Sequence, residues 1–262
     1  MSNTDTESES DNGMDLGDVF TEPPRPLSPE PKLATYHREC TDRTDWTTIN
    51  LRLVGSHPLW AHYLWNASLA FASYLDQHED LYRGRAVLEL GAGGALPSLV
   101  AAKNGAKRAV ITDYPDRALV DNISHNVNQN IADADRDRVI VQGYIWGHPV
   151  APLLEHLPDD QPERAFDLMI LSDLIFNHSQ HDAMLKTCDF ALAKSRPAYV
   201  LVFYSHHRPH LAHRDMEFFS KAREQGWTCE EILTRKYPPM FPEDPGEEEV
   251  RATVHGWRLT RS

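Results

Sequence analysis

Val87-Leu88-Glu89-Leu90-Gly91-Ala92-Gly93-Gly94-Ala95-Leu96-Pro97 is the stretch of this sequence that decides the fold. An apolar run of strand length ends at Leu90, three glycines follow within four positions, and an apolar segment of helical length comes next. Glycines in such a turn let the backbone approach a ligand closely, and the first turn of the following helix presents free N–H groups. The stretch therefore predicts a buried strand that continues through a ligand-binding loop into a helix.

Apolar runs of strand length alternate with segments of helical length from residue 46 onward. This alternation is typical of a mostly parallel sheet that is covered by helices on both faces. Strands are expected at residues 86–90, 109–112, 139–144, 168–172, 199–204, 228–233 and 253–259. Helices are expected near residues 59–76, 98–104, 118–130, 180–193 and 211–225. The predicted fold class is α/β, as a single doubly wound, Rossmann-like domain with a mostly parallel seven-stranded sheet.

The segment before residue 46 differs from the rest in composition. Residues 1–31 carry eight acidic residues and one arginine, and five prolines lie close together between residues 23 and 31. Such a segment cannot bury enough apolar surface to offset the entropy that is lost on ordering. We therefore expect residues 1–45 to be a disordered or extended acidic tail and residues 46–262 to form the folded domain.

The charge and composition of the chain exclude several classes of protein. The formal net charge of −13 disfavours a nucleic-acid binder, because such proteins neutralise phosphates with Lys and Arg, and it makes a basic partner more natural. No apolar run is long enough to cross a bilayer, and the polar start lacks the features of a signal peptide. The three cysteines lie far apart and indicate neither disulfides nor a zinc site. This argues for the cytosol or nucleus, and we expect a cytoplasmic protein.

Asp113 ends the second expected strand, 22 residues after Gly91. In nucleotide-binding α/β folds, an acidic residue at this spacing accepts hydrogen bonds from a ribose. A glycine loop followed by an acid at a strand end therefore indicates a nucleoside ligand. The alternative is that the glycines form a structural turn and that Asp113 caps the helix expected near Pro115.

Glu89 precedes the first glycine by two positions, which bears on the charge of the ligand. A carboxylate there would repel the pyrophosphate of a dinucleotide, whereas it would attract a ligand that carries an ammonium and a sulfonium. The third glycine of the dinucleotide-binding pattern is also replaced, by Leu96. These residues favour a cationic nucleoside over a dinucleotide.

Trp146 and the pair Ser172-Asp173 follow the third and fourth expected strands. Open α/β sheets bind ligands at the carboxyl ends of their strands, so these side chains are expected to face the same ligand as the glycine loop. The indole of Trp146 can form a wall beside an adenine. For Trp146 taken alone, the alternative is ordinary packing.

These motifs resemble the class I, seven-stranded methyltransferases that use S-adenosyl-L-methionine, and most closely their protein-modifying branch, family 16. The resemblance covers about residues 46–259 and rests on Trp60-Ala61-His62-Tyr63-Leu64-Trp65-Asn66-Ala67, Glu89-Leu90-Gly91-Ala92-Gly93-Gly94, Asp113-Tyr114-Pro115-Asp116, Trp146-Gly147 and Ser172-Asp173-Leu174-Ile175-Phe176-Asn177-His178. The cofactor contacts that it implies are Trp65, Gly91, Ala92, Gly93, Asp113, Trp146 and Ser172. Trp65 enters on the resemblance alone, because it falls off the apolar stripe of the first expected helix.

Asp173 and Phe176 match the acid-x-x-aromatic motif that follows the fourth strand in this branch. Methyl transfer is an in-line displacement, so the enzyme must align a neutral amine with the methyl group. An acid beside an aromatic wall can orient that amine, and the resemblance implies this catalytic role for the pair. The alternative is that Asp173 caps a helix and that Phe176 belongs to the core.

The resemblance also implies an activity and a partner. Residues 14–20 and 23–26 resemble the start of fungal methyltransferases that modify the N-terminal α-amine and a lysine of a protein. The implied substrate is translation elongation factor 1-alpha, and a monomer without membrane or nucleic-acid partners is expected. The rival functions are methylation of a small amine such as nicotinamide, nicotinamide-dependent oxidoreduction, and a scaffold without catalysis. Glu89 and Leu96 argue against the oxidoreductase.

A cluster of histidines crowds the end of the fifth expected strand and the helix after it: His206, His207, His210 and His213. Histidines at this density can bind a metal ion. The cluster has no cysteine and no HExxH pattern beside it, so we expect no metal. One or two of these histidines are expected to line the entrance for the substrate instead.

Overall fold

The computed structural model describes residues 29–40 and 45–261. Its strands are β1 (Lys32–His37), β2 (Thr48–Leu53), β3 (Ala86–Leu90), β4 (Arg108–Asp113), β5 (Val139–Gly143), β6 (Leu168–Ser172), β7 (Tyr199–Ser205), β8 (Trp227–Lys236) and β9 (Thr253–Arg261). Its α-helices are α1 (Asn66–Gln77), α2 (Leu96–Lys103), α3 (Arg117–Asn130), α4 (Ala151–Leu154), α5 (His181–Ala191), α6 (Ala212–Glu224) and α7 (Glu248–Ala252). The seven strands expected from the sequence are all present, with bounds that differ by no more than a few residues.

The strands β3 to β9 form one sheet with the order β5-β4-β3-β6-β7-β9-β8. Neighbouring strands from β5 to β7 pair in parallel, and β9 runs antiparallel to both of its neighbours. The chain moves outward from β3 to β5 and then returns to place β6 on the other side of β3. The carboxyl ends of β3 and β6 therefore lie at the point where the strand order reverses, which is where open α/β sheets bind ligands.

Helices cover both faces of this sheet. Successive side chains of a strand point to opposite sides, so each central strand contributes to an apolar core on either face. On one face, Val87 of β3 belongs to the same apolar core as Phe71 of α1 and Leu99 of α2. On the other face, Leu88 of β3 belongs to a core with Phe218 of α6. The predicted doubly wound α/β fold is confirmed.

The strands β1 and β2 form a separate antiparallel hairpin that the sequence analysis did not predict. β1 lies within the segment expected to be a tail, so the boundary at residue 46 was placed too late. The physical reason is a buried ion pair: the guanidinium of Arg38, directly after β1, donates to both carboxylate oxygens of Asp76 in α1 at 2.6–3.1 Å. Tyr36 is also buried against α1. Residues 1–28, which carry most of the expected tail, lie outside the described residues.

Helix α3 presents a row of asparagines, one per turn, to the backbone of β2. The Asn126 side chain accepts from Arg52 N at 2.7 Å and donates to Arg52 O at 2.9 Å, and Asn130 makes the same pair of bonds with Asn50. Asn126 also donates to Gly94 O at 3.1 Å. The open edge of β2 is thereby satisfied by side chains, and the glycine loop is tied to α3.

Helix α1 begins later than the sequence predicts. The expected helix started at residue 59, whereas α1 starts at Asn66 and residues 59–65 form turns. Trp60 has a φ of +62°, a left-handed conformation that a helix cannot accommodate. Trp65 is consequently the residue that precedes the first helical turn rather than a mid-helix residue. No helix within residues 29–40 and 45–261 is long and apolar enough to cross a membrane.

Candidate active site

A cavity of about 560 Å³ opens at the carboxyl ends of β3, β4, β5 and β6. Every site residue predicted from the sequence borders it: Trp65, Gly91, Ala92, Gly93, Asp113, Trp146, Ser172, Asp173 and Phe176. These residues come from five separate segments of the chain. The fold therefore brings the predicted constellation together around one space.

The glycine loop forms the floor of this cavity. Gly91 and Gly93 have φ values of +56° and +55°, which L-residues with side chains rarely adopt. A Cβ at Gly91 would also lie 2.7 Å from Leu174 Cδ2 and 3.0 Å from Trp146 Cζ2. Gly91 is therefore required by its backbone angle and by its neighbours, whereas Gly93 is required by its backbone angle alone and faces open space.

Asp113 ties the end of β4 to the glycine loop. Its Oδ2 accepts from Gly93 N at 2.8 Å and its Oδ1 accepts from Tyr114 N at 2.7 Å. Burial raises the pKa of Asp113, and these two backbone donors partly offset that effect. The alternative role as a helix cap is wrong, because Asp116 caps α3 by accepting from Ala118 N at 2.8 Å. Asp113 remains free to accept further hydrogen bonds from the cavity, since an ionised carboxylate has about four lone-pair sites.

Glu89 does not border the cavity, so the expectation that its charge lies beside the ligand is wrong. Its side chain is fully buried on the α2 side of the sheet, and its Oε2 accepts from Ser98 N at 3.2 Å. The residue before α2 is Ala95, which has no side chain that can cap the helix. Glu89 supplies the missing acceptor for the first turn of α2. Burial raises the pKa of Glu89 to about 8.

The raised pKa of Glu89 leads to a prediction about stability and pH. The folded protein holds this proton up to about pH 8, whereas the unfolded chain releases it near the ordinary value of 4.5. The contribution to the free energy of unfolding is therefore complete below pH 4.5 and is lost as the pH rises through 8. Glu89→Gln keeps an oxygen acceptor for Ser98 N and cannot ionise, so its melting temperature should fall less than that of the wild type between pH 6 and pH 9.

Thermal unfolding followed by circular dichroism at both pH values checks this expectation. Glu89→Leu is the matched control, because it keeps a similar volume but removes the acceptor, and it should be less stable at both pH values. Parallel pH curves for the wild type and Glu89→Gln would contradict the assignment of the raised pKa.

Trp65 stands at the start of α1 and faces the cavity as part of an aromatic cluster. Its ring centroid lies 4.8 Å from that of His207, 5.3 Å from Tyr63 and 6.0 Å from Phe241. Its Nε1 donates to Trp60 O at 3.3 Å, which fixes the indole over the preceding turn. The structure thus gives Trp65 the cavity-facing position that periodicity did not indicate.

Trp146 and Ser172 border the cavity at the carboxyl ends of β5 and β6. The half-buried indole of Trp146 packs against Gly91. The Oγ of Ser172 is buried and has no hydrogen-bond partner among the described residues. Buried hydroxyls are normally paired, so the Oγ of Ser172 has capacity for a hydrogen bond with a molecule in the cavity.

Asp173 follows β6 in a left-handed conformation, with a φ of +58°. Its carboxylate accepts from His207 Nε2 at 2.9 Å through Oδ2, and its Oδ1 lies 3.5 Å from Ser205 N. Neither donor is a helical N–H, so the alternative role as a helix cap is wrong. Phe176 is half-buried and borders the cavity, and it is not a core residue.

Two of the four clustered histidines pair with carboxylates, and His210 and His213 are exposed. His207 pairs with Asp173, and His206 Nδ1 lies 2.7 Å from Asp215 Oδ2. Arg208 rather than any of the four clustered histidines borders the cavity.

Several cavity residues have no signal in the sequence that would have identified them. The other residues that border the cavity are Pro58, Leu59, Trp60, Ala61, Tyr63, Leu64, Ser68, Gly94, Tyr114, Tyr144, Ile145, Leu174, Asn177, Gln180 and Arg208. Leu59, Trp60, Tyr114 and Ile145 are the large apolar side chains among them that remain exposed at the rim. Trp60 and Tyr63 were expected within the first helix, but that helix begins only at Asn66, so their direction could not be inferred.

Comparison with known proteins identifies the family to which this chain belongs. Residues 53–225 match the family described as lysine methyltransferase. The chain belongs to this family. The match contains Trp65, the glycine loop, Asp113, Trp146, Ser172, Asp173 and Phe176, so every site residue predicted from the sequence lies within the family region.

Curated relatives match this lysine methyltransferase family member over nearly its whole length. The protein N-terminal and lysine N-methyltransferase efm7 of Schizosaccharomyces pombe is 46% identical over 95% of this chain and 97% of its own. The corresponding protein of Candida glabrata, with the same descriptive name, is 47% identical over 99% of this chain and 100% of its own.

Solved structures share the fold at low identity. A protein from Pyrococcus horikoshii described as an RNA methyltransferase has a TM-score of 0.51 and 18% identity, over 79% of this chain and 88% of that chain. The YcgJ protein from Bacillus subtilis has a TM-score of 0.53 and 11% identity, over 74% of this chain and 99% of that chain. At these identities the likeness concerns the fold alone.

Proposed function

We propose that this lysine methyltransferase family member is an S-adenosyl-L-methionine-dependent protein N-methyltransferase that modifies the N-terminal α-amine and an adjacent lysine of a protein substrate. The observation that carries the proposal is that the glycine loop, Asp113, Asp173 and Phe176 all border one cavity at the carboxyl ends of neighbouring strands. The relatives from Schizosaccharomyces pombe and Candida glabrata bear the name of this activity and cover nearly the whole chain.

The residues around the cavity fit S-adenosyl-L-methionine. Gly93 faces open space, so the backbone of the glycine loop can lie directly against a ligand there. Asp113 would hold the ribose hydroxyls, Trp146 would form a wall for the adenine, and the unpaired Oγ of Ser172 would accept or donate one further hydrogen bond. Trp65, Ala92 and Gly93 complete the proposed cofactor contacts.

When bound, the cofactor supplies an electrophilic methyl group on a positively charged sulfur. The contribution of the chain is to bring a neutral amine into line with that group and to stabilise the positive charge that develops on nitrogen. Asp173 offers a carboxylate oxygen to the amine N–H, and Phe176 forms an apolar wall that keeps water from the nitrogen. An α-amine has a pKa about two units below that of lysine, so presenting it neutral near pH 7.5 costs roughly 3 kcal/mol less.

Translation elongation factor 1-alpha is the proposed substrate, and the cytoplasm is the proposed location. The support for this target is the resemblance of residues 14–26 to fungal methyltransferases of that specificity. The net charge of −13 suits a basic protein partner better than nucleic acid. A monomer without a membrane partner is part of the same proposal.

The test is a methylation assay with radiolabelled S-adenosyl-L-methionine and a peptide that bears the N-terminus of elongation factor 1-alpha. Labelling of the free peptide and reduced labelling of the N-acetylated peptide are the expected results. Labelling of nicotinamide but not of the peptide would favour the small-molecule rival. In a thermal-shift comparison, S-adenosylhomocysteine should raise the melting temperature and NADH should not, because only a ligand of the native state stabilises it.

A further inference from the structure

Asp173, which borders the cavity, belongs to a group of two carboxylates and three histidines. Asp173 and Asp215 are both buried, with 5% and 4% of their surface exposed. Between them they engage His178, His206 and His207 at distances of 2.6–2.9 Å. Only Asp173 among these five residues borders the cavity. The other four can therefore influence a molecule in the cavity only through Asp173 and its neighbours.

His207 is the member of the network that contacts Asp173 directly. Its Nε2 lies 2.9 Å from Asp173 Oδ2, and its ring lies 4.8 Å from the ring of Trp65. The Oδ1 atom of Asp173 has a weaker partner, Ser205 N at 3.5 Å. His207 thus occupies one carboxylate oxygen and leaves the other as the oxygen with capacity for an amine N–H.

Asp215, at the start of α6, joins the two loops that carry these groups. Its Oδ1 lies 2.6 Å from His178 Nε2, and its Oδ2 lies 2.7 Å from His206 Nδ1. His178 follows the loop that contains Asp173 and Phe176, and His206 is the residue before His207. One buried carboxylate therefore fixes the loop after β6 relative to the loop after β7.

Protonation of the His207 ring favours its role as the hydrogen-bond donor to Asp173. Burial alone would lower the pKa of His207, but the Asp173 carboxylate, reinforced by Asp215 and opposed by Arg208, raises it above its ordinary value. The imidazole therefore keeps the proton on its ring to a higher pH than an exposed histidine does. A hydrogen bond in which both partners are ionised is also stronger than a neutral one.

We propose that His207 is a positioning residue that holds the Asp173 carboxylate in the orientation that receives the substrate amine. Asp215 maintains this arrangement by fixing the neighbouring His178 and His206. The inference rests on the proposed methyltransferase function, and it assigns part of the acceptor site to a residue outside the cavity.

The test compares two substitutions of His207. His207→Gln keeps a side-chain N–H close to the position of Nε2, whereas His207→Leu removes the donor at similar volume. Loss of one hydrogen bond to a charged group corresponds to roughly a 10- to 150-fold effect. We expect His207→Leu to lower kcat on the elongation-factor peptide by at least about tenfold and His207→Gln to recover most of that loss. His210→Leu, at an exposed neighbouring position, is the matched control and should retain wild-type kcat.

The affinity for S-adenosylhomocysteine, measured by calorimetry, separates positioning from structural damage. It should fall far less than kcat in both His207 variants, because the hydrogen bond of His207 goes to Asp173 and only its ring reaches one proposed cofactor contact, Trp65. Wild-type kcat in a folded His207→Leu protein would overturn the proposal. A loss of kcat accompanied by an equal loss of S-adenosylhomocysteine affinity, or no recovery in His207→Gln, would also overturn it.

An NMR titration of the histidine rings makes the pairing testable apart from catalysis. The pKa of His207 should fall when Asp173 is replaced by Asn, because the charge that raises it is removed. An unchanged pKa of His207 would refute the pairing. Absence of methylation by the wild-type protein on any amine would refute the proposed function, and the titration would still decide whether His207 and Asp173 are paired.

Discussion

Asp173→Asn is expected to lower kcat on the elongation-factor peptide by about one to two orders of magnitude, the range for one hydrogen bond to a charged group. Asparagine has nearly the same shape as aspartate but lacks the negative charge that stabilises a developing positive charge on the amine nitrogen. The interaction with the acceptor is stronger in the transition state than in the ground state, so its loss affects kcat more than KM. Affinity for S-adenosylhomocysteine should stay within about twofold of the wild type.

Kinetics well below the melting temperature of the variant, together with calorimetry, check this expectation. Asp182→Asn is a suitable control, because Asp182 is an exposed residue of α5 that pairs with Lys221 at the surface. Normal turnover by Asp173→Asn would reduce Asp173 to a structural role, in which its carboxylate merely joins the loop after β6 to His207. Equal losses of turnover and of cofactor affinity would place it in the cofactor site instead.

The parts of the fold that the sequence predicted depend on short-range signals. β3 is apolar except for Glu89, and β6 is apolar up to Ser172. Such nearly continuous apolar runs are typical of strands that are buried on both faces, so the residues of each strand were enough to predict it. The turn at Gly91 and Gly93 could also be predicted, because the positive φ values at those positions favour glycine. The order of the motifs along the chain then placed Asp113 and Asp173 at strand ends that meet at one edge.

The hairpin of β1 and β2 could not be predicted, because it depends on partners far away in sequence. Arg38 is stabilised by Asp76, which lies 38 residues further along the chain. The backbone of Arg52 in β2 is satisfied by Asn126, which lies 74 residues away. Local composition around residues 29–45 resembles that of a tail, and no periodicity reveals that a buried guanidinium will anchor it.

The direction of individual side chains is the second feature that could not be predicted from the sequence. Glu89 lies in the correct position along the chain, but Val87 and Glu89 share the face of β3 that packs on α2. Tertiary packing decides which face of a strand meets which helix. The prediction that the Glu89 side chain faces the ligand was wrong for this reason. Trp65 is the opposite case: a helix start moved from residue 59 to Asn66 turns the indole toward the cavity.

Asp113→Ala should weaken the binding of S-adenosyl-L-methionine by about 1.5 to 3 kcal/mol, roughly 10- to 150-fold. Two effects act in the same direction. The ribose hydroxyls lose a charge-assisted acceptor, and Gly93 N loses the Oδ2 atom that it donates to at 2.8 Å. Because the second effect loosens the glycine loop itself, Asp113→Asn should bind more tightly than Asp113→Ala, since one amide oxygen can still accept from the loop.

Asp116→Ala provides the matched control for this measurement. Asp116 lies three residues away and caps α3, so its loss should cost about 1 kcal/mol of stability without a change in affinity. Calorimetry on the folded variants therefore distinguishes a carboxylate that holds the ligand from one that holds a helix. If Asp113→Ala binds the cofactor as tightly as the wild type, then the carboxylate serves only to fix Gly93 and Tyr114, and the ribose must be held by other groups of the cavity.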